Sequence, residues 1–183
     1  MTKSLLYLIG YRGTGKTTVG RLVAASVGWE FVDADVVLEQ NAGQTIKQIF
    51  DAEGETAFRD RETANLRTLS QRTNSVIATG GGIILREENR ALLSRTGFIV
   101  WLKASVAELG KRIAADPVTS ERRPNLTVGG AVEIEELVRQ REPIYRSCAD
   151  LEIDTDRRSP EIVAQSILMQ WNPSKTCSAT PSG

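Results

Sequence analysis

Five short, largely apolar runs recur along the chain: Leu5–Ile9, Glu30–Val32, Val76–Ala78, Phe98–Leu102 and Leu151–Ile153. Each is too short for a helix and too continuous for a half-exposed strand. The pattern therefore predicts strands buried on both faces. Between them, apolar positions return every three or four residues. That spacing predicts helices near Thr17–Val27, Glu55–Leu69, Glu87–Arg95, Val106–Ala114, Glu133–Arg146 and Pro160–Met169, with short helices in Ala34–Glu53. Strand and helix alternate, so the expected fold class is α/β: three layers, with a five-stranded parallel sheet between helices. In such sheets ligands sit beyond the carboxyl ends of the strands.

Three distinctive segments fall at those ends. The first strand breaks into Gly10-Tyr11-Arg12-Gly13-Thr14-Gly15-Lys16-Thr17, which fits the phosphate-loop pattern G-x-x-x-x-G-K-[ST]. Its glycines let backbone N–H groups close around phosphate oxygens, Lys16 brings a positive charge, and the Thr17 hydroxyl can hold Mg²⁺. The helix that follows aims its positive end at the same anion. At average composition the four fixed positions would match by chance in roughly one chain in a hundred of this length. The strand before and helix after lower that further. The loop specifies a nucleoside triphosphate and says little of a second substrate.

Asp33 and Asp35 follow the second strand, separated by one alanine. Period-two geometry places both carboxylates on one side. One can help hold Mg²⁺ through water, and the other can accept a hydrogen bond from an attacking hydroxyl; the plainer role for either is to cap the next helix. Thr79-Gly80-Gly81-Gly82 follows the third strand. Consecutive glycines cost backbone entropy, which suits a place where a ligand lies against bare backbone, or a tight turn. Arg59, Arg61 and Arg67 lie on a highly charged helix, where pattern alone makes each a solvated surface residue. Arg141 sits just before Pro143, which is expected to interrupt its helix. The segment 115–127, polar and punctuated by Pro and Gly, is expected to be a lid, and its Arg123 can close on a transferring phosphate.

Composition narrows the classes. The 183 residues suit one domain, expected over 1–170, and are 40% hydrophobic and 25% charged. Lys+Arg and Asp+Glu are both 23, which argues against wholesale nucleic-acid or membrane-surface binding. Histidine is absent, so histidine-based hydrolase mechanisms are excluded. Phosphoryl transfer, which depends on positioning and charge neutralisation, is not. Cys148 and Cys177 show no metal-ligand spacing, and a reducing cytoplasm is expected. The Ser/Thr/Pro-rich stretch Trp171–Gly183 is expected to be a disordered tail.

Taken together, the chain resembles the shikimate kinases. The resemblance rests on Gly10–Thr18, Asp33-x-Asp35, Phe58-Arg59, Ala78–Gly82, Arg123-Pro124-Asn125-Leu126-Thr127 and Arg141-Glu142-Pro143-Ile144-Tyr145, in the family's order, across residues 3–170. It implies a nucleoside-monophosphate-kinase-like phosphate-loop fold and ATP-dependent phosphorylation of the 3-hydroxyl of shikimate. ATP and shikimate would be the partners, Mg²⁺ the cofactor, and the protein a cytoplasmic monomer. It assigns Gly13, Thr14, Gly15, Lys16, Thr17, Thr18 and Arg123 to the phosphates, and Arg112 and Arg158 to the neighbourhood of the adenine. Thr17 and Asp33 would serve the metal. Asp35, Arg59, Gly81, Gly82 and Arg141 would bind shikimate, with the two arginines on its carboxylate. Lys16, Asp35 and Arg123 would be catalytic. The alternatives are a gluconate kinase or another small-molecule kinase of this fold, or a catalytically silent regulatory relative. A silent relative would be expected to have lost Lys16, Asp35 or Arg123. A GTP switch would need an Asn-Lys-x-Asp motif, which is absent.

Overall fold

The computed structural model describes residues 4–116 and 130–171. Five strands, β1 (Leu5–Ile9), β2 (Glu30–Asp33), β3 (Ser75–Ala78), β4 (Phe98–Lys103) and β5 (Leu151–Asp154), form one parallel sheet in the order β2-β3-β1-β4-β5. Seven helices are described: α1 (Lys16–Val27), α2 (Ala34–Ala42), α3 (Ile46–Leu69), α4 (Glu87–Thr96), α5 (Val106–Ala114), α6 (Gly130–Cys148) and α7 (Pro160–Gln170). A 3₁₀ turn spans Ile83–Leu85.

Strand periodicity divides the core in two. Leu5, Tyr7 and Ile9 of β1 join Ile77, Ile99 and Trp101 on one face, where α3, α4 and α6 pack through Leu66, Leu69, Leu93 and Tyr145. Leu6 and Leu8 join Val76, Val100, Leu102 and Ile153 on the other, covered by α1 and α7 through Val19, Val23, Val163 and Ile167. All five β1 residues are buried, which explains the unbroken apolar run in the sequence. The α/β class and the five expected strands are those observed.

Three local expectations change. Residues 34–53 hold α2 and the first two turns of α3, and α3 is continuous with its later part apart from a kink at Gly54 (φ 80°). Thr45 starts α3 with a capping box: its side chain accepts from the Gln48 N–H, and the Gln48 side chain accepts from the Thr45 N–H. Pro143 does not interrupt its helix; α6 continues to Cys148. Pro143 and Arg139, whose carbonyl loses its helical partner to the proline, are both exposed residues. Packing of Tyr145 on the sheet holds the last turn in place.

Trp171, expected to open the tail, is instead a core residue. It is 2% exposed, edge-on to Trp29 at 5.1 Å and stacked with Phe98 at 6.4 Å. A large aromatic at the end of α7 closes the α1/α7 face of the sheet. Residues 172–183 lie outside those described. Trp171→Ala is expected to lower the unfolding free energy in urea by about 3–5 kcal/mol, and removal of the chain from Trp171 onward is expected to cost at least as much. A loss under 1 kcal/mol would show that the indole contributes little to the core.

Candidate active site

The phosphate loop is shaped by backbone that only glycine adopts readily. Gly10, Gly13 and Gly15 have φ of 137°, 82° and 86°, and Gly15 is the N-cap of α1. Thr14 ties the loop to itself through its hydroxyl, which donates to the Tyr11 carbonyl at 2.8 Å. The Lys16 ammonium donates to the Gly10 and Tyr11 carbonyls, both at 2.8 Å. The cation is thus held over the loop rather than extended into solvent. Arg112 braces the loop from α5, donating to the Gly13 carbonyl at 3.3 Å and to the Thr155 carbonyl at 2.9 Å. Arg158 is exposed and lies outside this cleft.

Asp33 and Asp35 are not alternate residues of one strand. Asp33 ends β2 and caps α2, accepting from the Asp35 and Val36 N–H groups through Oδ1. Its Oδ2 accepts from the Thr17 hydroxyl at 3.0 Å. Asp35 lies in the first turn of α2 and is buried. Asp33 thus gives one oxygen to the helix cap and the other to Thr17.

Two clefts meet at this edge of the sheet. The larger spans about 1330 Å³, open solvent at its mouth included, and is lined by Gly13, Gly15, Lys16, Thr17, Thr18, Asp33 and Arg112. The smaller spans about 610 Å³ on the same measure between α2, α3, α6 and the glycine run, and is lined by Phe58, Arg59, Glu62, Gly81, Gly82 and Arg141. Arg12, Asp35 and Ile46 line both. Size alone suits the first to a nucleotide and the second to a small acceptor.

The smaller cleft is built from buried charge. Asp35, Arg59 and Arg141 are each 8% exposed, and Glu62 5%. Arg59 is fixed on α3 by Glu62 at 2.7 Å and Glu55 at 3.2 Å. Arg141 stands over the Tyr11 ring at 5.9 Å. The glycine run makes room for these groups: a Cβ on Gly82 would overlap the Arg59 guanidinium, and one on Gly80 would come within 2.8 Å of Glu62 Oε1 and 2.9 Å of Asp35 Oδ1. None of the three has a positive φ. Close approach of the protein's own polar side chains, rather than turn geometry, favours glycine at positions 80 and 82.

Sequence reasoning missed Glu62, Arg12, Tyr11 and Tyr145. Glu62 was detectable, since it stands three residues after Arg59 on a helix; the others needed the folded chain. Arg123 and most of the segment 115–127 lie outside the described residues. Among the described residues no group of three or more His, Cys, Asp or Glu could hold a metal ion. No helix among them is long and apolar enough to cross a membrane.

A phosphate loop on a five-stranded parallel sheet, opening beside a small charged cleft, defines a phosphate-loop kinase fold. The chain belongs to the shikimate kinase family: the family model described as "Shikimate kinase" matches residues 12–172. The shikimate kinase of Rhodopirellula baltica is 45% identical over 164 residues, covering 89% of this chain and 88% of that one. That of Chromohalobacter salexigens is 44% identical over 89% of each. A solved shikimate kinase from Acinetobacter baumannii in complex with shikimate superposes with a TM-score of 0.86 at 37% identity, over 98% of this chain and 97% of that one. A gluconokinase from Sinorhizobium meliloti has a TM-score of 0.57 at 14% identity over 98% and 99%, a likeness of fold alone.

Burial pushes the Glu62 carboxyl above its ordinary value, while Arg59 pulls it the other way. The folded chain then binds more protons than the unfolded one just above the ordinary glutamate range, so stability falls as pH rises through that window. The difference in unfolding free energy between the protein and its Glu62→Gln variant should therefore change in favour of the variant across the window and level off above it. A difference independent of pH would show that the Glu62 carboxyl is not raised.

Proposed function

We propose that the chain transfers the γ-phosphoryl group of ATP to the 3-hydroxyl of shikimate, giving shikimate 3-phosphate, as a cytoplasmic monomer. The observation that carries this is the pair of buried arginines, Arg59 and Arg141, lining the cleft that Asp35 shares with the phosphate loop. Guanidinium forks suit a planar carboxylate. Phe50, Phe58 and Ile46 supply apolar wall for ring carbons, and Asp35 supplies an acceptor for a hydroxyl.

The geometry supports a division of labour. Asp33, committed to capping α2 and to Thr17, serves the donor side. Thr17 Oγ1 and Asp33 Oδ2 fit a Mg²⁺ ion that arrives with the nucleotide and keeps much of its water. When bound, that ion would neutralise phosphate charge. Asp35 borders both clefts, so it can orient the acceptor hydroxyl and take its proton late in the transfer. Lys16 holds a positive charge at the loop mouth for the transferring oxygens, and the resemblance gives Arg123 the same task.

Coupled ADP release from the purified protein with shikimate, gluconate and nucleoside monophosphates tests the reading. Stimulation by shikimate is expected, and stimulation by gluconate alone would overturn it. Asp35→Asn should lower turnover about 10²–10⁴-fold with ATP binding little changed; near-normal turnover would remove the base role. Arg59→Ala and Arg141→Ala should each weaken shikimate binding by about 10–100-fold in calorimetry. Unchanged affinity in both would refute the carboxylate assignment.

A further inference from the structure

Tyr145 lies directly behind the acceptor cleft without lining it. It is 2% exposed, and its ring stacks on Trp101 of β4 at 5.7 Å with 19° between the planes. The sheet therefore fixes where the ring sits. Its hydroxyl donates to the Gly81 carbonyl at 2.5 Å, and the charged Arg141, one helical turn earlier on α6, lies near it. Gly81 and Arg141 do line the cleft, and they come from elements far apart in the sequence. Burial holds the phenol well above its ordinary value, so the hydroxyl keeps the proton it donates to Gly81. A Cβ on Gly81 would sit in van der Waals contact with the same hydroxyl at 3.5 Å and with the Gly10 carbonyl at 3.4 Å, so the glycine wall has a neighbour on each side.

A phenylalanine would fill the space on Trp101 equally well. The hydroxyl adds a buried polar group, which is costly unless bonded, and here its bond goes to the wall of the cleft, close to the charged grip. We propose that Tyr145 is a positioning residue for the acceptor, its hydroxyl holding the Gly81 carbonyl one helical turn from Arg141 and so fixing the span between the carboxylate grip and the glycine wall. This rests on the proposed phosphorylation of a ring acid. A fixed span favours an acceptor whose carboxylate and hydroxyl are rigidly separated over a flexible open-chain sugar acid, so the residue also sets specificity.

Tyr145→Phe in the full chain tests the inference by steady-state kinetics. The shikimate KM is expected to rise about tenfold, the scale of leaving a buried hydrogen-bond partner unsatisfied, with the ATP KM within about twofold. Preference for shikimate over gluconate should narrow. In an Arg141→Ala background the same change should raise the shikimate KM no further, because grip and wall act as one unit. Trp101→Phe, which loosens the stack but keeps the hydroxyl, should lower the Tm and raise the shikimate KM less than Tyr145→Phe does. An unchanged shikimate KM in Tyr145→Phe, additive effects in the double variant, an equal KM rise in Trp101→Phe, or a Tyr145→Phe protein too unstable to assay would each overturn the role. Absence of shikimate-dependent ADP release in the unaltered protein would instead defeat the functional reading itself.

Discussion

The carboxyl edge of the sheet depends on how β1 is clamped to β3 at their last residues. Thr79 bonds the Leu8 carbonyl twice, through its N–H at 3.1 Å and its hydroxyl at 3.0 Å. With the parallel register Leu8↔Ala78, this sets the phosphate loop and the glycine run side by side beyond the strands: a Cβ on Gly81 would meet the Gly10 carbonyl at 3.4 Å and the Arg12 backbone nitrogen at 3.7 Å. Donor loop and acceptor wall therefore leave the sheet as neighbours. A side chain at Gly10 would run into the Leu102 carbonyl of the adjoining strand, so the start of the loop is packed against β4. Where the two segments lie together, Arg12 and Asp35 line both clefts.

The same closeness forces charges into a confined space. Removing a guanidinium or carboxylate from water costs several kcal/mol unless it is paired, and replacing such pairs with apolar residues often stabilises a fold. These groups are instead kept and held. Arg59 has Glu62 and Glu55, Lys16 has two loop carbonyls, and Asp33 divides its oxygens between a helix cap and Thr17. Each partner is local and leaves the charged group at a cleft wall. The cost is tolerable for a site that must bind anions from solvent and neutralise a phosphoryl group in transit.

Much of this was legible in the sequence, for reasons that also explain what was not. Strands buried on both faces give continuous apolar runs, so Leu5–Ile9 and Phe98–Leu102 were plain. The phosphate loop was plain because backbone geometry there admits few residue types. Asp33 and Asp35 were found, but not their arrangement: strand periodicity stops at Asp33, where the helix cap begins, so it does not reach Asp35. The Gly80–Gly82 run was noticed for ligand contact, whereas its bare Cα atoms accommodate Arg59, Glu62 and Asp35. Pro143 and Trp171 failed for a common reason. Local propensity and composition argued for a break and a tail, and packing on the sheet overrode both.

The two clefts differ in what holds them, and this decides where selectivity can reside. The donor cleft is shaped by glycine conformations and backbone carbonyls, with Lys16, Thr17 and Asp33 set on that frame. Few substitutions could alter it without losing the loop, which makes triphosphate binding a property of the fold. The smaller cleft is shaped by side chains from α2, α3 and α6 leaning on the glycine run. Glu62 fixes Arg59 from the same helix, and Tyr11 faces the Arg141 guanidinium from the loop. Changing a few helical positions would therefore exchange one small acceptor for another while the phosphate loop stayed intact. Fold likeness alone cannot name the acceptor; in this chain that information resides in the arginine pair and in the side chains that hold it.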